Sequence, residues 1–105
     1  MRFALICIDR PDAAGIRQAT RPAHLDYLRA RAAGVVQAGP LIGADGNPLG
    51  SLFILDAPDR GAAEAFSAGD PYVRAGLFAS ATLYPYRTVF QDGAELEAQA
   101  APLAG

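Results

Sequence analysis

Hydrophobic and polar positions along this chain change period several times, and each change marks an element. Residues 2–9 are apolar on both sides of a two-residue period, with Phe3, Leu5 and Cys7 on one side and Ala4, Ile6 and Ile8 on the other. That pattern predicts a strand covered on both faces, ended by Pro11. Residues 12–20 fit either a helical turn or a first helix. Pro22 suits the first turn of a helix, with Thr20 or Arg21 near the cap. Leu25, Leu28 and Ala32 then form the buried stripe, with His24 beside it at the core margin, Arg29 faces away, and Gly34 is the terminator. Residues 35–42 predict a second strand, in which Pro40 argues for an edge position or a bulge. Ala44-Asp45-Gly46-Asn47-Pro48 is turn chemistry, so a third strand over 50–56 completes a hairpin with the second. Asp59 can cap a helix running to about Gly69 and buried through Ala62, Ala63 and Phe66. Asp70-Pro71 opens one further helical turn, and residues 78–90 predict a long final strand with Ser80, Thr82 and Tyr84 alternating.

The order β-α-β-β-α-β is the split-βαβ, ferredoxin-like arrangement of an α+β protein, with a four-stranded antiparallel sheet whose first and third strands are central. Those two are the most apolar strands here. Two helices cover only one face of such a sheet, while both faces of the central strands are apolar. A second sheet is expected on the other face, giving a homodimer packed sheet to sheet in the manner of a dimeric α/β barrel. Residues 91–105 carry few large side chains and read as a tail, loosely attached or a frayed helix, leaving one domain over residues 1–90.

Composition narrows the function. The 105 residues are 51% hydrophobic and only 19% charged, which again favours an apolar surface shared with a second copy. Net charge is −2, and all nine basic residues are scattered arginines. No basic stripe is interleaved with aromatics, and the third strand lacks the pattern of RNA-recognition modules, so nucleic-acid binding is disfavoured. The single Cys7 excludes an internal disulfide and reads as a small buried hydrophobe. The apolar N-terminal run is too short to span a membrane and lacks a signal-cleavage pattern, so a cytoplasmic location is expected. One histidine and one apolar cysteine are poor provision for a metal, and Gly43-Ala44-Asp45-Gly46 lies in a hairpin turn rather than before a helix. No metal, phosphate loop or other cofactor is expected.

The specific chemical proposal comes from His24, the only histidine, and Asp70. If the fold joins them they form a general base with its orienting carboxylate. Each has a plainer role available, a half-buried imidazole bonded to a carbonyl and an aspartate that starts a helix. Arg21 and Arg74 are candidates for binding a substrate carboxylate or phenolate. Ser51 and Tyr72 can donate hydrogen bonds to a ligand, and Gly39-Pro40 can shape a pocket wall through a bend in the second strand. Ser51 sits in no nucleophile-elbow motif.

Arg21-Pro22-Ala23-His24-Leu25, Ala38-Gly39-Pro40-Leu41, Asp45-Gly46, Gly50-Ser51, Asp70-Pro71-Tyr72 and Ala75-Gly76-Leu77-Phe78 follow one another in the order seen in YciI-like (YCII-domain) proteins. The chain resembles that family over residues 1–90. The resemblance implies a dimeric ferredoxin-like α+β fold similar to muconolactone isomerases, with His24 and Asp70 at the positions of the family's catalytic pair. Some members of that family are linked to breakdown of substituted aromatic compounds, and the leading reading here is cofactor-free isomerisation or elimination on a small cyclic or aromatic acid, with Arg21, Ser51 and Tyr72 positioning the substrate. The alternatives are a non-catalytic module that binds a small molecule or assists a partner enzyme, and a purely structural dimerisation domain.

Overall fold

The computed structural model describes residues 1–96. Strand β1 (Arg2–Asp9) leads to helix α1 (Ala14–Ala30), a turn of 3-10 helix (Ala32–Gly34) and strands β2 (Val35–Ile42) and β3 (Pro48–Asp56). Helix α2 (Arg60–Gly69), the single-turn helix α3 (Pro71–Arg74) and strand β4 (Phe78–Pro85) complete the main body, and a small hairpin of β5 (Phe90–Gln91) and β6 (Ala94–Glu95) follows. The four long strands form one antiparallel sheet in the order β2-β3-β1-β4. This is the ferredoxin-like α+β arrangement, with the two most apolar strands in the middle.

One face of the sheet carries the helices. Phe3, Leu5, Cys7, Phe53 and Leu55 point into it and are sealed by Ala63, Leu28 and Phe66 from α1 and α2. The alternation is interrupted once in β4. Ile8 pairs with Ser80 and Asp9 with Phe78, so Ala79 is the extra residue of a bulge. That single insertion turns Phe78 onto the helix side, where it packs on both core clusters. Asp59 caps α2 by accepting from the Ala62 amide at 2.8 Å.

Three details depart from the sequence-based expectation. Helix α1 begins at Ala14, eight residues before Pro22, which therefore lies inside it. A proline there leaves the Gln18 carbonyl without its helical partner and costs about 3 kcal/mol by propensity. Gln18 and Pro22 are both on the exposed side, where water can serve that carbonyl. Ala32 falls outside the helix and is exposed, whereas His24, expected at the core margin, is the one buried residue of α1. The last strand stops at Pro85, because proline cannot supply an amide to continue the ladder. Of the expected tail, residues 91–96 include most of the β5–β6 hairpin and 97–105 lie outside the described residues.

The other face of the sheet has no helix against it. Ala4, Ile6, Ile8, Leu52 and Ile54 point there by register, together with Ser80, Thr82 and Tyr84. The segment after β4 crosses one end of this face. The Tyr86 amide donates to the Arg2 carbonyl, and the Arg2 guanidinium donates to Thr88 Oγ1 at 2.6 Å. Beneath the segment lies a cavity of about 350 Å³ bounded by Arg2, Gln37, Ile54, Tyr86 and Phe90. Among the described residues no helix is long and apolar enough to cross a membrane.

Cys7 has no exposed surface, and burial pushes its thiol from 9.0 up to about 12. Between those values the unfolded chain loses the thiol proton and the folded chain keeps it. Folding stability therefore falls as pH rises above 9. Urea titrations at pH 8 and pH 10.5 are expected to show a larger loss for the wild type than for Cys7→Ala. The native thiol should be silent to a thiol-specific chromogenic reagent until urea is added.

Candidate active site

The core of the sheet's helix face changes character toward one end of the central strands. Along β1 the inward positions run Phe3, Leu5, Cys7 and then Asp9; along β3 they run Leu55, Phe53 and then Ser51. Polar side chains thus replace apolar ones on the same face. Helix α1 lies over this end and α3 closes it.

His24 and Asp70, 46 residues apart in sequence, meet there. His24 Nδ1 lies 2.8 Å from Asp70 Oδ1, and the two residues are 7% and 1% exposed. The same carboxylate oxygen accepts the Tyr72 amide at 2.9 Å, so Asp70 caps α3 and holds the imidazole at once. An ionised carboxylate has no proton to give, so the imidazole nitrogen facing it must be the donor. The ring proton therefore sits on Nδ1. Nε2 makes no hydrogen bond among the described residues, and no buried side-chain nitrogen there lacks a partner, so Nε2 opens onto solvent-accessible space. In the neutral ring it carries the lone pair of a base.

Aromatic contacts fix the ring in the other dimensions. Tyr72 stacks on His24 with centroids 3.9 Å apart and planes at 19°, and Phe53 meets its edge at 5.9 Å. Tyr72 is 2% exposed. Burial raises its phenol above the ordinary value, against the pull of Arg17 and Arg21, so it remains a neutral hydroxyl at physiological pH.

The remaining expected residues separate. Ser51 is buried and belongs to the cluster. Arg21 is exposed, one helical turn before His24, close enough to act on the Tyr72 phenol. Pro40 pairs with Ser51 across the β2–β3 ladder, on the same face, and is exposed. Gly39 pairs with Leu52, so its position faces the side of the sheet away from His24. Arg74 is exposed at the end of α3, where its charge acts on the Tyr27 phenol.

Two residues that sequence reasoning passed over complete the site. Arg17 Nε and Nη2 lie 2.8 and 2.7 Å from the Asp9 carboxylate oxygens, a two-pronged ion pair, and Nη2 also donates to Ser51 Oγ at 3.0 Å. With a helix starting at Ala14, Arg17, Arg21, His24 and Leu28 fall at i, i+4, i+7 and i+11, one stripe of one helix. That spacing was in the sequence, hidden because Pro22 looked like a beginning. Among the described residues no group of three or more His, Cys, Asp or Glu could hold a metal ion.

The YCII-related domain model matches residues 1–87. This chain belongs to that family. It is 31% identical over 98 residues to the protein YciI of Escherichia coli, spanning 86% of this chain and all of that one. The structure is similar to 5-chloro-2-hydroxyhydroquinone dehydrochlorinase from Burkholderia phenoliruptrix, solved with 2,5-dihydroxybenzoquinone, with a TM-score of 0.79 and 32% identity over 83% of this chain and 94% of that one. An antibiotic biosynthesis monooxygenase shares the fold alone, with a TM-score of 0.53 and 16% identity over 84% and 97% of the two chains.

Removing the Asp70 side chain deprives two donors of one acceptor. Asp70→Ala is expected to cost about 2 kcal/mol or more from the lost cap and an unsatisfied buried donor, measured by urea denaturation. In the wild type, ¹⁵N NMR of the single histidine should show the neutral ring protonated on Nδ1, and the variant should lose that preference.

Proposed function

We propose that this YCII-domain protein is an enzyme using His24 and Asp70 for acid–base chemistry, without a cofactor, on a small cyclic or aromatic compound. The observation that carries this reading is the imidazole held by a buried carboxylate at Nδ1 while Nε2 stays open. A pocket that only binds has no need for a base whose tautomer and ring plane are both fixed. The likeness to a dehydrochlorinase at 32% identity supports elimination as the reaction class, with isomerisation the related outcome.

The geometry supports the following roles. Nε2 takes a proton from an O–H or C–H of the substrate, and the ring becomes an imidazolium stabilised by Asp70. The electron pair released from that bond moves through the conjugated skeleton. In an elimination it departs with the leaving group, so that a proton and an anion are lost and no oxidant is needed. In an isomerisation Nε2 returns the proton to another carbon. Tyr72, buried and stacked on the imidazole, holds the ring plane rather than touching the substrate, and Arg21 supplies positive charge at the rim.

His24→Ala and Asp70→Asn are expected to lower turnover by about 100- to 10,000-fold, the usual range for general acid–base catalysis. Chloride release from 5-chloro-2-hydroxyhydroquinone is the first assay, followed by other halogenated hydroquinones. Wild-type turnover that survives in both variants would sink the proposal.

We further propose that the helix-free face of the sheet packs against a second copy of the chain. Ile8 and Tyr84 on that face are 39% and 54% exposed, more apolar surface than water tolerates cheaply. Sedimentation of the wild type should give a dimer, and Ile6→Glu should give a folded monomer. A wild type that sediments as a monomer would refute this assembly.

A further inference from the structure

The acid–base pair leaves the neighbouring Asp9–Arg17–Ser51 cluster without a task. Its three side chains come from β1, α1 and β3 and converge beside Tyr72. The Arg17 and Asp9 side chains are only 11% and 9% exposed. Burying an ion pair of this kind brings little net stability, since desolvation consumes most of the attraction. The pair nevertheless occupies the end of a strand whose other inward residues are Phe3, Leu5 and Cys7.

A guanidinium has five N–H donors. Asp9 takes two of them, on the Nε–Nη2 edge, and Ser51 takes the second hydrogen of Nη2. Arg17 also hydrogen-bonds the Tyr72 hydroxyl, which by elimination falls to Nη1, so one Nη1 hydrogen is left over. Ser51 accepts from Arg17, so its own hydroxyl hydrogen remains available. Its cross-strand neighbours are Cys7 and Pro40, whose side chains offer it no oxygen acceptor. Arg17 Cζ lies 4.9 Å from the Tyr72 ring centroid and the His24 ring lies 3.9 Å from it. The Tyr72 ring thus links the cluster to the acid–base pair.

We propose that Arg17 Nη1 and the Ser51 hydroxyl form a binding site for a single ionised oxygen, so that the substrate is a phenolate or enolate rather than a carboxylate. This rests on the acid–base function proposed above and names its substrate class. The choice follows from which donors are spent. A carboxylate is best held by two parallel donors on one edge of the fork, and the Nε–Nη2 edge already holds Asp9. What remains suits one oxygen. Asp9 also offsets the charge of Arg17, so the cluster grips through directed hydrogen bonds. Asp9 is accordingly a positioning residue. A phenolate oxygen gripped there keeps its charge delocalised in the ring on which His24 acts.

The test is equilibrium binding of two probes to the full chain, 2,5-dihydroxybenzoquinone at a pH where it carries ionised oxygen, followed by absorbance, and benzoate, followed by calorimetry. The wild type is expected to bind the hydroxyquinone at least about ten-fold more tightly than benzoate. Arg17→Gln should weaken the hydroxyquinone about ten-fold or more, as loss of a charge-assisted hydrogen bond does, and Ser51→Ala should weaken it several-fold. Ser51→Ala keeps the Arg17–Asp9 pair and covers the case in which Arg17→Gln fails to fold. Equal or tighter binding of benzoate, no binding of either probe, or wild-type affinity in Ser51→Ala would each overturn the assignment. Loss of turnover in His24→Ala alongside any of these results would leave the acid–base function standing and remove only its substrate class.

Discussion

One carboxylate oxygen organises this site. Asp70 Oδ1 accepts from both His24 Nδ1 and the Tyr72 amide, and a carboxylate this deeply buried is tolerable only because it is so used. The amide bond starts the single turn of α3, and that turn places the Tyr72 ring flat against the imidazole. The imidazole bond ties α3 to the middle of α1. Orientation of the base, its aromatic wall and the closure of two helices therefore depend on the same atom. Gly76, at φ +75°, then reverses the chain so that Leu77 is buried and β4 can begin.

The sheet provides the second constraint. Its helix face is apolar along most of the central strands, where Phe3, Leu5, Phe53 and Leu55 anchor the helices. At one end the same alternation delivers Asp9 and Ser51. A polar cluster can sit there without weakening the core because it lies at the margin, where α1 and α3 converge and water still reaches Nε2 of His24. The site is thus an extension of the core by two positions, not a separate structure built on loops. Rigid strands and a helix hold most of its side chains, which is what directed proton transfer requires.

Much of this protein was determined locally. The order of elements, the central places of β1 and β3, the hairpin at Asp45-Gly46-Asn47, the Asp59 cap and the Asp70-Pro71 helix start all follow from side-chain period and capping chemistry within a few residues. His24 and Asp70 were visible as candidates for the same reason, one being the sole imidazole and the other a capping aspartate. Only the tertiary structure decided the rest. Local rules set a penalty of about 3 kcal/mol on a proline inside a helix, yet α1 runs through Pro22, because His24 and Leu28 beyond it are packed against the sheet while Gln18 and Pro22 face water. That continuation brings Arg17 into line with His24. The bulge at Ala79, which turns Phe78 inward, and the face on which Gly39 lies depend equally on strand register. Contacts between residues far apart in sequence set these features, and no window of neighbouring residues contains them.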